Sequence, residues 1–152
     1  MIHQLHELVF FGDGNSPFEV KDCMKAILNV AHHFRKEYSY FERMKSLPHE
    51  ILFFRLARKD RQDVDDAYME SLTDVVNICK RMNAFPILTH CQRGAHRGPA
   101  SAIFTAWHLS GRSLTSLQEL NLKAQTFVPT LKPGHPKIYY TTMLKWCEAH
   151  SV

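Results

Sequence analysis

An α/β fold with a mixed, mainly parallel sheet is the architecture this chain predicts, and three observations carry the prediction. Short apolar runs at residues 26–31 (AILNVA), 51–56 (ILFFRL) and 86–89 alternate with longer segments of helical periodicity. Such alternation places helices between strands, which favours parallel pairing. The chain has 152 residues and 45% hydrophobic content, enough for one domain with a real core. No repeat, low-complexity tract or Gly/Ser linker divides it, so residues 1–152 are expected to form a single domain.

The elements follow in order. Residues 5–11 read as one or two early strands, stopped by Gly12-Asp13-Gly14-Asn15. Ser16-Pro17 caps a short helix through Met24, with Pro17 suited to the first turn. Residues 26–31 form a buried strand and 51–56 another; between them, 32–49 is a polar, aromatic loop without a readable period. From 65 to 83, Tyr68, Leu72, Val75, Val76, Cys79 and Met82 recur at helical spacing, with Asp65 and Asp66 favouring the helix start. Residues 86–89 are the central strand. Residues 99–110 form a helix apolar enough to be buried, ended by Gly111. Thr115 with Gln118 has capping-box spacing for a helix to about Ala124. Pro129, Pro133 and Pro136 break the chain before a last helix over 137–149.

Composition narrows the class. Four cysteines, Cys23, Cys79, Cys91 and Cys147, are scattered without a C-x-x-C pair, which excludes a disulfide scaffold and fits a reducing interior. Cys23 and Cys79 are expected as small core hydrophobes. Cys147-x-x-His150 is half a zinc site without a matching pair. The other histidines, His32 and His33 among them, are expected to face solvent. No apolar run is long enough for a membrane span, and the polar start does not read as a signal peptide. The expected location is cytoplasmic or nuclear, not secreted, without integral membrane association. The formal charge of +4 is mild, so where it sits matters more than its total.

The segment ILTHCQRGAHRGPA, residues 87–100, carries the chemistry. It passes from an apolar strand into a turn holding Cys91, Gly94 and Arg97, then into a helix. That spacing suits a phosphate cradle, because the N–H groups of residues 92–97 can curl around an oxyanion and the helix adds its positive end. Arg97 can grip two phosphate oxygens as a planar fork. The same field favours the thiolate, the nucleophilic form of Cys91.

His90-Cys91-x5-Arg97 resembles the signature loop of the cysteine-dependent protein tyrosine phosphatases, and specifically the small dual-specificity group. The likeness extends over nearly the whole chain. HELVFFGDGNSP followed by AILNVA is similar to the family's opening strand-turn-helix-strand, and SLTSLQELNLKA with the Pro-broken turn matches its closing part. A protein tyrosine phosphatase-like fold, with a central sheet flanked by helices, is therefore implied. So is a phosphomonoester hydrolase that forms a phosphocysteine intermediate and uses no metal or other cofactor.

The resemblance also assigns roles. Cys91 is the nucleophile, and Gln92, Arg93, Gly94, Ala95, His96 and Arg97 hold the phosphoryl group. His90 holds and polarises the cysteine. The general acid comes from the acidic loop ARKDRQDVDD, where Asp60 follows the strand directly and Asp63 is its competitor. Three departures stand out. Gly98 replaces the usual serine or threonine after the arginine, which implies slower release of the thiolate. Arg93 and His96 replace smaller residues, and Gln125 stands where an arginine is common. Arg93, His96 and Arg97, with Arg58, Lys59 and Arg61 around Asp60, are expected to form a basic rim. A phosphorylated protein is the implied substrate, with a phosphoinositide or an RNA 5′ end as alternatives. A phosphate-binding pseudophosphatase is the remaining alternative. A rhodanese-like sulfur transferase would not need Asp60 and fits the order of elements less well.

Overall fold

Parallel strands buried on both faces read as unbroken apolar runs, and two strands here do so. In this computed structural model, which describes residues 1–19, 23–32, 42–48, 50–59, 61–131 and 137–152, β3 (Ala26–Ala31) and β5 (Ile87–His90) are buried at every position. The early strands are two, β1 (Ile2–His6) and β2 (Val9–Gly12), joined as an antiparallel pair. With β4 (Leu52–Arg58) they complete a five-stranded sheet of order β1-β2-β5-β3-β4, parallel except at the β1–β2 edge. The mixed, mainly parallel α/β sheet is thus as the sequence predicts.

Helices fill the connections: α1 (Ser16–Glu19), α2 (Asp66–Arg81), α3 (Arg97–Leu109), α4 (Leu114–Phe127) and α5 (Ile138–Ala149), with a 3-10 turn at Pro129–Leu131. α3 is buried from Gly98 to Trp107 because it touches β1, β2, β3 and β5 as well as α4 and α5. That is why its sequence is apolar on all sides. Trp107, Phe104, Tyr139 and Phe11 are the largest wholly buried rings. Ile27 and Leu88 point to the opposite sheet face, where they meet Met24, Leu47 and Ile51, following the two-residue alternation of strands.

Several boundaries differ from the sequence reading. β4 runs two residues beyond Leu56, because pairing with β3 carries it to the register Ala31↔Arg58. α1 ends, as described, at Glu19, and residues 20–22 lie outside the described residues. Cys23 and Met24 are not helical; Met24 turns inward to the second cluster while Cys23 is exposed, contrary to its expected core role. α3 begins at Arg97, two residues before Pro99. The cap of α4 is Ser113, whose Oγ accepts from the Ser116 amide at 3.1 Å, while Thr115 lies inside the first turn. Helix α4 continues to Phe127, past Ala124. In the segment 32–49, residues 42–44 are helical; 33–41 and 49 lie outside the described residues.

The histidines do not all face solvent. His3 packs between Phe11 and Phe127, with ring centroids at 5.1 and 4.8 Å, and His108 is half-buried against Phe104. Periodicity gave no warning of this, since aromatic stacking across β1 and α4 is a tertiary event. No described helix is long and apolar enough to cross a membrane.

Capping separates two substitutions that look alike in the sequence. Ser113→Ala removes the Ser116 amide's acceptor and should cost about 1 kcal/mol. That corresponds to a fall in Tm of roughly 2–4 °C. Thr115→Ala should leave Tm nearly unchanged. Thermal unfolding of both variants beside the parent checks this, and equal shifts would return the cap to Thr115.

Candidate active site

Parallel strands deliver their carboxyl ends to one edge of a sheet, and ligand sites of α/β folds lie there. Gly12, His90 and Asn29 stand in register at that edge, with Ala31 and Arg58 paired beyond them. The chain leaving β5 is Cys91, so the signature loop opens where β5 ends between β2 and β3.

Backbone packing sets the shape of the loop. Gly94 adopts φ +72°, and a side chain there would meet the backbone of Gly12 and Asp13. The Gly14 amide donates to the Gln92 carbonyl at 3.1 Å, so the turn that stops β2 also forms the bed of the loop. Cys91 is 2% exposed, and the Gly94 amide donates to its Sγ at 3.3 Å. Where the loop rejoins the helix, a Cβ at Gly98 would lie 3.2 Å from the Gly12 carbonyl oxygen and 3.3 Å from the Cys91 nitrogen. The Thr89 hydroxyl ties this junction by donating to the Gly98 carbonyl at 2.7 Å.

Arg97 is the first residue of α3, and its Nη1 donates to the Arg58 carbonyl at 2.8 Å. β4 therefore helps aim the guanidinium. The Arg58 side chain turns away to Asp65 at 3.2 Å and lies 4.7 Å over the Tyr68 ring. Asp65 caps α2 through the Tyr68 amide, which with Arg58 holds its carboxyl below the usual range. Asp66 accepts from the Trp146 indole at 3.1 Å. Beneath the loop a buried hydroxyl chain runs from Ser101 through Tyr139 and Tyr68 to the Leu56 carbonyl, at 2.8, 2.9 and 2.8 Å. Because Tyr68 donates to Leu56, Tyr139 must donate to Tyr68 and Ser101 to Tyr139. Burial raises both phenols far above their usual range, so the chain stays protonated and anchors α2 and α5 to α3.

His90 is wholly buried, and its Nδ1 is 3.2 Å from the Cys91 carbonyl oxygen. Burial pushes its pKa down to about 4, against smaller opposing effects of that hydrogen bond and of Asp13. At neutral pH the ring is uncharged, and it braces the backbone of Cys91.

A cavity of about 290 Å³ opens above the loop, lined by Cys91, Gln92, Arg93, Ala95, His96, Arg97 and Lys137. The structure thus gathers every candidate of the signature loop, with Gly94 beneath them. Asp60 lies outside the described residues; Asp63 is exposed. Of the expected basic rim, Arg93, His96 and Arg97 line the cavity, whereas Arg58 is taken up by Asp65 and Tyr68. Gln125 donates to the Leu131 carbonyl at 3.4 Å, within the turn that precedes α5. Sequence reasoning missed Lys137, Tyr139 and Ser101. The pattern places them on helices, and only helix packing brings them to the loop. Among the described residues no group of three His, Cys, Asp or Glu could hold a metal; Cys147 is buried and the His150 ring faces the Trp146 carbonyl.

No protein-family model and no curated protein matches this sequence. Solved structures do match. Human DUSP28 is 15% identical with a TM-score of 0.65, covering 97% of this chain and 93% of that one. A mouse putative dual specificity phosphatase complexed with zinc tungstate is 14% identical with a TM-score of 0.68, covering 97% and 86%. The core catalytic domain of the PP-IP phosphatase SIW14 from S. cerevisiae is 15% identical with a TM-score of 0.59, covering 99% and 85%.

Two outcomes follow from this packing. Gly98→Ala should destabilise the protein by as much as the Gly12 and Cys91 backbones resist giving way by a few tenths of an ångström, at most about 1–3 kcal/mol. Gly98→Ser carries the same cost, which opposes any gain in turnover from its hydroxyl; urea denaturation of the two variants measures it. For His90, the unfolded chain takes up a proton below pH 6.5 that the folded ring refuses until about 4. Stability should therefore fall as the pH drops through that window, by on the order of 2 kcal/mol at pH 5 from this residue alone. His90→Gln should show a shallower decline between pH 7 and pH 5 in the same denaturation experiment.

Proposed function

From the premise that this chain has the fold of the dual-specificity and protein tyrosine phosphatases, we propose that it is a cysteine-dependent phosphomonoester hydrolase. One observation carries the reading. A nearly buried cysteine sulfur receiving a backbone amide lines the same cavity as a guanidinium aimed from the first turn of a buried helix. The phosphatases with this fold, one in complex with zinc tungstate, support an oxyanion in that cradle.

In the proposed reaction the Cys91 thiolate attacks phosphorus in line with the departing oxygen. The S–P bond forms as the P–O bond breaks, and Asp60 gives its proton to the leaving alcohol or phenol. Arg97 and the loop amides hold the equatorial oxygens as charge spreads over them. Asp60, now a carboxylate, takes a proton from water, whose oxygen attacks the phosphocysteine and releases phosphate and the thiolate. His90 and the hydroxyl chain act at a distance by fixing the loop and helix that carry the reacting groups. A phosphorylated protein and a polyanionic small molecule both offer the monoester this scheme needs. A phosphate-binding protein without turnover would share the cradle and fail the following test.

Cys91→Ser should abolish hydrolysis of an aryl phosphate while vanadate binding persists, since the amides and Arg97 remain. Arg97→Ala should lose both, with a fall in rate of roughly a hundredfold to a thousandfold by the measure of a deleted oxyanion donor. Asp60→Ala should slow alkyl phosphates more than activated aryl esters, because only a basic leaving oxygen needs the proton. Steady-state kinetics on the two ester classes reads these effects. Activity retained in Cys91→Ser overturns the mechanism, and the leaving-group pattern in Asp63→Ala alone moves the acid to Asp63.

A further inference from the structure

Lys137 is a cation that the fold places at the mouth of the cavity without giving it a structural use. It lines the cavity together with Cys91, Arg93, His96 and Arg97, and among the described residues that wall holds no acidic side chain. It stands at the N-cap of α5 and makes no capping hydrogen bond. A positive side chain is unfavourable there, since the helix end is itself positive. A polar cap such as serine or aspartate would stabilise α5 better. Among the described residues Lys137 enters no ion pair, whereas Arg58, whose carbonyl accepts from Arg97, is matched by Asp65. Lys137 is half-buried, and Tyr139 and Tyr140 in the first turn of α5 are buried. The lysine is thus fixed beside the cradle, at a cost to the helix that a bound anion would offset.

We infer that Lys137 is a specificity-determining residue that binds a second phosphate group, next to the one seated on the Cys91 loop. This inference rests on the phosphatase reading and names its substrate class: a small molecule carrying two neighbouring phosphates, such as a vicinal bisphosphate or a diphosphate. Arg97 is committed to the phosphate under attack and Arg93 is exposed, which leaves Lys137 to face the neighbouring group. A substrate with one phosphate fills the cradle and leaves the lysine unmatched. One with two places a dianion against it and gains a charge-assisted contact.

The test compares one-phosphate and two-phosphate ligands in two ways. In the Cys91→Ser protein, the affinities of inorganic phosphate and pyrophosphate are measured by calorimetry with and without Lys137→Met. In the active protein, kcat/KM is measured on p-nitrophenyl phosphate and on a vicinal inositol bisphosphate, free in solution and as the headgroup of a lipid in phosphatidylcholine vesicles. Pyrophosphate should bind more tightly than phosphate. Lys137→Met should cut its binding by roughly ten- to a hundredfold, the value of one charged hydrogen bond, with a clearly smaller loss for phosphate. Added salt should narrow the gap. Lys137→Arg should restore most of the preference, and Lys80→Met, at the far end of α2, should leave it in place. Turnover of the free bisphosphate or of the vesicle-bound lipid, each dependent on Lys137, supports the inference and identifies the source. Equal losses on one-phosphate and two-phosphate ligands, with aryl phosphate still hydrolysed, overturn the second-phosphate site and leave the phosphatase reading standing. No hydrolysis of any ester, with a Lys137-dependent preference for pyrophosphate, overturns the phosphatase reading and leaves the site standing.

Discussion

The near contact of two backbones, where β5 ends and α3 begins, is the constraint on which the rest of this molecule depends. At Gly98 the first turn of α3 lies so close to Gly12 and Cys91 that a Cβ would press on main-chain atoms of both. That approach lets the chain leave β5, wrap a loop of a few residues and re-enter as a helix almost above the strand it left. The Gly94 amide and the positive end of α3 then both lie beside Cys91. Gly94 makes the same demand at the other side of the loop, with a positive φ and the Gly12–Asp13 backbone against it. The turn that stops β2 is therefore also the platform of the Cys91 loop.

Around this junction the electrostatics are arranged in layers. Next to the cavity are the cations, Arg97, Arg93 and Lys137, with His96 among them. Behind Arg97 stands a neutral acceptor, the Arg58 carbonyl, which steers the guanidinium without cancelling its charge. The Arg58 side chain is neutralised by Asp65 and seated on Tyr68, so it braces β4 against α2. Beneath everything lie groups that burial keeps uncharged: His90 and the Ser101–Tyr139–Tyr68 hydroxyls. A buried unpaired charge under the loop would be costly; a satisfied neutral network fixes the geometry instead.

The fold is shared with solved phosphatases at 14–15% identity, and the physical demands explain how so few residues suffice. A buried parallel strand requires apolar residues, not particular ones, and β3 and β5 meet that with AILNVA and ILTH. α3 must be apolar on every side because sheet and helices enclose it. In this chain the sharpest demand on residue type falls on Gly94, through its positive φ and the backbone of Gly12 and Asp13 against it.

By itself the sequence determined the alternation of strands and helices and the burial of 26–31 and 99–107, and it marked the loop from Cys91 to Arg97 as the candidate site. Those are local facts: period, apolar run length and the spacing of cysteine and arginine are all written along the chain. Tertiary structure alone decided which helix residues stand near that loop. Lys137 and Tyr139 are more than forty positions beyond Cys91, and nothing in their spacing marks them until α5 packs against α3. It also decided the fate of Arg58, which reads as a rim cation in sequence but is drawn off by Asp65 and Tyr68 when α2 docks on β4. Strand ends and caps moved for the same reason. Pairing carried β4 to Arg58, and Ser113 rather than Thr115 met the open amides of α4. A residue's type is local, whereas its partner is chosen by packing between segments distant in sequence.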